Sequence, residues 1–272
     1  MMRALWTAAS GMTSQQTNVD VIANNLANIN TTAYKTESAQ FKSLLYQTIQ
    51  SKTTSANGET KPVGAQVGLG VRNSSITSIF TQGSLTATDN NTDFAIDGKG
   101  FFSVQDLDGE TLYTRDGSFN WTLAPGGGLM LATQQGYPVL DVDGNAIILT
   151  EEYSMSKVTI DANGNICYPD ETGNPAPLGI TIGIVQFANP AGLSKGAGTM
   201  YSMTEASGEP ISEFYSEDVQ KSTIKQSYLE ASNVNVADEM VDLIVAQRAY
   251  EMNSKAIQAA DDMLQQANQL KR

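Results

Sequence analysis

Three segments of the chain begin like calcium-binding loops: Asp106-Leu107-Asp108-Gly109-Glu110, Asp141-Val142-Asp143-Gly144-Asn145 and Asp161-Ala162-Asn163-Gly164-Asn165. Oxygen donors at alternate positions are what a hard divalent cation takes. A helix-flanked calcium loop, however, needs its Gly at position six and a Glu at twelve. Here the Gly comes at position four. Twelve residues from Asp141 lands on Glu152, but Ile147-Ile148-Leu149 in between reads as a strand. Asp-Gly and Asn-Gly tolerate the positive φ that tight hairpin turns require. The spacing therefore predicts hairpin turns and no metal site.

Other chemistry is equally bare. The 272 residues contain no His, which removes the commonest general base and metal ligand. Cys167 is the single thiol, read as a small half-buried residue. Gly68-Leu69-Gly70 lacks the third glycine and the helix of a dinucleotide site. Carboxylates are plentiful, but nothing marks a pair for glycoside cleavage. We expect no enzyme activity and no cofactor.

Twenty-nine acids against sixteen bases leave a net charge of −13 and no basic run, which argues against nucleic acid and anionic lipid as partners. No stretch approaches the roughly 20 apolar residues of a membrane helix. The first 30 residues hold one base, Arg3, and no apolar block, unlike a secretory signal.

Composition divides the chain into three sections. Residues 1 to about 50 hold one Gly, Gly11, and no Pro; residues from about 223 onward hold neither; the middle holds all eight Pro. The outer sections read as helices and the middle as strands and turns. In the first, Leu5, Met12, Val19 and Leu26 fall seven apart, and Ala8, Gln15, Ile22 and Ile29 follow each by three. Both seam positions of a heptad are filled except at Gln15. In the last, Met240, Leu243, Gln247, Tyr250, Ser254, Ile257, Asp261 and Leu264 alternate by three and four, with Ile244, Ala260, Met263, Ala267 and Leu270 widening the stripe. Asn233 or Asn235 is placed to cap it, with Asp238 and Glu239 in the first turn and Lys271 and Arg272 at the carboxyl end. The economical arrangement packs the two helices together, either privately within a monomer or as part of an assembly. The runs Phe101–Gln105 and Ile180–Val185 alternate as strands, and residues 51–70 read as a polar, extended connection.

The residues then become specific. Ala23-Asn24-Asn25-Leu26-Ala27-Asn28 ends the first helix, and Thr31-Thr32-Ala33-Tyr34-Lys35 follows. Asp97-Gly98-Lys99-Gly100-Phe101-Phe102, Tyr113-Thr114-Arg115-Asp116-Gly117-Ser118-Phe119, Ser232-Asn233-Val234-Asn235-Val236 and Gln247-Arg248-Ala249-Tyr250-Glu251 are collinear with it. Together they resemble the bacterial flagellar rod and hook protein family across nearly the whole chain, most like its distal-rod branch. Position 33 is Ala where the family often has Gly, which suggests a turn that does not need positive φ.

The resemblance implies an α+β protein. A discontinuous coiled-coil domain (residues 1–35 and 225–272) would line a tube, a rod-specific connection would cover residues 36–70, and an antiparallel all-β outer domain residues 71–224. It implies a structural subunit of the basal body that polymerises helically and carries motor torque to the hook, exported without a Sec signal through the flagellar type III apparatus. Partners would be other copies, other rod proteins, the hook protein, the rod cap and the surrounding ring proteins, with no membrane insertion. The seam residues Leu5, Met12, Val19, Ile22, Leu26, Ile29, Met240, Leu243, Ile244, Tyr250, Ile257 and Leu264 would be assembly residues. A proximal-rod or hook sibling is the near alternative; a cell-wall-glycan enzyme with a helical stalk and a surface adhesin are remote ones.

Overall fold

A computed structural model describes residues 2–50, 64–150, 153–170, 174–217 and 219–269. The chain forms two compact units. The first gathers Met1–Ala27, Glu37–Ser78 and Asn235–Arg272; the second gathers Asn28–Thr36 and Ile79–Val234.

In the first unit, α1 (Met2–Ala27) and α2 (Val236–Gln269) pack against each other. Asn25 meets Glu239, and Gly11 lies beside Asn253, so the helices run antiparallel. Gly11 is placed by that approach: a Cβ there would lie 2.9 Å from the Asn253 amide nitrogen. Asn235 is the cap of α2. Its Oδ1 accepts from the Ala237 N–H at 3.1 Å, and its Nδ2 donates to Asp238 at 2.7 Å. Leu270, Lys271 and Arg272 lie outside the described residues. Beside the helices, β1 (Glu37–Ser43) pairs with β4 (Val71–Ser78), and β2 (Tyr46–Gln50) with β3 (Ala65–Gly68), both antiparallel. The composition of residues 51–70 suggested an extended connection. Residues 51–63 lie outside the described residues, whereas 65–68 are a paired strand. The α1 helix ends at Ala27, so Ile29 falls in the turn beyond it, in the second unit, and is not a seam residue of α1.

The second unit is antiparallel. Its strands are β5 (Leu85–Ala87), β6 (Phe94–Asp97), β7 (Phe101–Gln105), β8 (Thr111–Thr114), β9 (Phe119–Leu123), β10 (Leu129–Thr133), β11 (Ile148–Leu149), β12 (Thr159–Ile160), β13 (Asn165–Pro169), β14 (Pro175–Thr181), β15 (Ile184–Gln186), β16 (Ser194–Lys195), β17 (Met200–Ser202), β18 (Ile211–Ser212), β19 (Thr223–Gln226) and β20 (Tyr228–Glu230). The largest sheet has the order β16-β17-β8-β7-β15-β18. Strand β7 is buried on both faces. Phe102 and Val104 enter the main core with Phe119, Leu131 and Ile182, while Phe101 enters a second cluster with Tyr113, Phe187 and Tyr201.

The three Asp-led segments are one turn used three times. The Asp N–H donates to the carbonyl four residues on, at 2.8–3.0 Å, and the glycine N–H donates back to the Asp carbonyl at 2.8–3.0 Å. Each Asp Oδ1 accepts the next N–H, at 2.7, 2.6 and 2.7 Å. The glycines have φ of 84°, 81° and 85°. Gly117 differs, because its φ is ordinary and a Cβ would collide with the Phe94 carbonyl oxygen. The run Ile180–Val185 is not one strand either. It breaks at Ile182 and Gly183, where the chain passes from β14 to β15 in another sheet.

Ala33 overturns the expectation drawn from its side chain. Its φ is +57°, it is buried, and its N–H donates to the Glu230 carbonyl at 2.8 Å. Tertiary hydrogen bonding holds an alanine where local sterics favour glycine.

Candidate assembly surface

Along α2, Glu239, Leu243, Ala246, Tyr250, Asn253, Ile257, Ala260 and Leu264 recur by four and three. All but Tyr250 are buried or half-buried, and the row contains both Glu239 and Asn253, which meet α1. This is the packed face. Of the seam residues expected from sequence, Leu243, Ile257 and Leu264 belong to it, and Tyr250 sits at its margin. Met240 and Ile244 do not: they point outward with Val241, Val245 and Met252, each between 52% and 65% exposed. The sequence stripe mixed two faces because Ala246 and Asn253 carry no apolar bulk, although small side chains are what lets two helices approach. On α1, Ala8 and Ile22 are buried and Leu5, Met12, Val19 and Leu26 half-buried, while Trp6 is 74% exposed. Met240, Val241, Ile244 and Val245 leave an outward cluster of large apolar side chains on α2, with Met252 beyond the exposed Arg248, the kind of surface that marks an interaction site.

Where α1 ends, the family-like motif resolves into single roles. Asn25 is buried; Ala23, Asn24 and Ala27 are exposed; Leu26 and Asn28 are half-buried. Asn25 Oδ1 accepts the Glu37 N–H at 2.9 Å, and its Nδ2 donates to the Glu37 carbonyl at 2.9 Å and to Glu239 Oε1 at 3.1 Å. One amide thus ties the end of α1, the start of β1 and the first turn of α2. Burial raises the Glu239 pKa; the Asn25 hydrogen bond opposes this, and Asp242 and Asp238 add to it.

In the second unit, two other motif segments converge on a residue that sequence reasoning did not single out. Glu230 Oε1 accepts Lys35 Nζ at 2.6 Å and the Gly83 N–H at 2.8 Å; Oε2 accepts Arg115 Nε at 2.9 Å. Lys35 also donates to the Thr81 carbonyl, and Arg115 to the Gly98 carbonyl, both at 2.8 Å. All three charges are essentially out of water. Burial and Arg115 lower the Lys35 pKa, and Glu230 opposes them. The only sequence signal for Glu230 was an acid near a strand end, which is too common to notice.

Among the described residues no group of three or more Cys, Asp or Glu is arranged to hold a metal ion. Among the described residues no helix is long and apolar enough to cross a membrane.

Three family models match the chain: the flagella basal body rod protein model over residues 5–35, the flagellar hook protein FlgE/F/G D1 domain over 95–168, and the flagellar basal body rod FlgEFG protein C-terminal over 225–270. The flagellar basal-body rod protein FlgG of Borreliella burgdorferi is 47% identical, covering 100% of both chains. That of Agrobacterium fabrum is 46% identical over 96% of this chain and 97% of its own. That of Buchnera aphidicola subsp. Schizaphis graminum is 40% identical over 99% of this chain and 100% of its own.

Proposed function

Because the chain belongs to the family of flagellar basal-body rod proteins, we propose that it builds the distal rod by helical self-association through the outward face of α2. It is a structural subunit of the flagellar basal body. The observation that carries the mechanism is the exposed row Met240, Val241, Ile244, Val245 and Met252 beside a helix pair already packed on its other face. Each large apolar side chain taken from water contributes about 1.5–3 kcal/mol. Identical contacts that do not close into a ring extend into a filament. Repeated along a tube lined by the terminal helices as a coiled coil, they supply the stiffness a drive shaft needs to carry torque to the hook.

The inward seam residues Leu5, Met12, Val19, Ile22, Leu26, Leu243, Ile257 and Leu264 pre-form the helix pair, and the outward ones join neighbours. Other rod proteins, the hook protein, the rod cap and the ring proteins are the further partners in this reading, and the flagellar type III apparatus the export route. The proximal-rod and hook positions are less favoured, because full-length relatives at 40–47% identity carry the rod name FlgG. The relatives are rod proteins, not enzymes, which disfavours a glycan-cleaving role.

The test is the pair Val241→Asp with Ile244→Asp. The purified chain should keep its helical content and melting temperature, while cells carrying it should form no distal rod and no hook. Normal rods in such cells would overturn the reading.

A further inference from the structure

Residues 223–234 are the last stretch of the second unit, and successive parts of the segment are stitched to different stretches of the rest of that unit. Strand β19 pairs with β6 and β20 with β5. The N–H groups of Ile224, Ser227, Ala231 and Asn233 donate to the carbonyls of Ala162, Asp93, Ser84 and Tyr34. The Asn233 Oδ1 accepts from the Thr36 N–H and Oγ1 at 2.7 and 2.8 Å, and its Nδ2 reaches the carbonyls of Ile79 and Thr81. Glu230 is the shared carboxylate partner of Lys35 and Arg115 in the dry interior.

Remove the segment and two cations stay buried without their carboxylate. A buried charge deprived of its partner costs far more than a lost surface contact. The hydrophobic core of the unit is otherwise nearly complete without it, since Ile224 is its one member from this stretch. We propose that residues 223–234 are a closing strap: the second unit becomes stably folded only when this late-made segment docks, with Glu230 as its latch. The unit would then stay open until the chain is almost entirely available, however much of its core has been made. This does not rest on the rod reading.

The test is native-state hydrogen exchange on the full chain, comparing strap amides (Ile224, Ser227, Ala231) with core amides that do not touch the strap (Leu131, Val139, Ile147). If the strap closes the unit, the two sets open together and their protection agrees within about threefold. Strap amides exchanging a hundredfold or more faster than the core set would overturn the proposal. In Glu230→Gln both sets should lose protection together, by about 100- to 1000-fold or completely. Loss confined to residues 223–234, with the core set unchanged, would equally overturn it. Lys225→Ala, which breaks only the half-exposed pair with Asp97, should move both sets by less than about fivefold.

Discussion

Asn25 Nδ2 donates to Oε1 of Glu239 at 3.1 Å, joining the last turn of α1 to the first turn of α2 across 214 residues of sequence. The same amide saturates both backbone groups of Glu37. Truncation by Asn25→Ala therefore leaves the buried Glu239 carboxylate and the part-buried backbone groups of Glu37 without this partner, a buried polar group left unpaired costing about 1–3 kcal/mol. We expect a loss of about 2–4 kcal/mol in urea unfolding, well beyond that of a surface Asn→Ala such as Asn30→Ala.

Glu239 should make the helix unit more stable in mild acid than at neutrality. Its folded pKa is raised above the ordinary 4.5, mainly by burial, with Asp242 and Asp238 facing it and Asn25 opposing. Between 4.5 and the raised value the folded state binds more protons than the unfolded one, so stability falls as pH rises through that window. Glu239→Gln keeps an acceptor for Asn25 and removes the charge. It should stabilise the protein at pH 7 and leave it unchanged near pH 4. A gain of the same size at both pH values would contradict this.

Ala33 sits at φ +57°. Ala33→Gly relieves about 1–2 kcal/mol of left-handed strain. It gives up about 0.8 kcal/mol of methyl burial and about 0.5–1 kcal/mol of chain entropy. The net change in thermal unfolding should lie within about 1 kcal/mol of zero. Ala33→Val, β-branched at positive φ, should cost more than about 2 kcal/mol.

Ala246 and Val245 are consecutive in α2, but the first lies on the packed face and the second on the outward one, 1% and 60% exposed. Ala246→Leu should wedge α2 from α1 and cost about 1–3 kcal/mol. Val245→Ala should change monomer stability by no more than about 0.5 kcal/mol. Its effect belongs to polymerisation, read as a raised critical concentration.

Much of the protein was legible locally. The helix α1, the acidic first turn of α2 and the Asp-x-Asx-Gly turns follow from spacing, because each depends on residues within four positions of one another, whereas spacing left the cap of α2 open between Asn233 and Asn235 and the structure gives it to Asn235. The motif around Asn25 and the segments holding Lys35 and Arg115 were recognisable as patterns, but not for what they do. Tertiary structure decided that Lys35 meets Glu230 across 195 residues, that Ala33 is forced left-handed by a carbonyl from the far end of the chain, and which side of α2 is packed. The reason is the same in each case. Periodicity reports which side chains share a face, but the partner that buries a face, neutralises a charge or strains a backbone is set by contacts between segments distant in the chain.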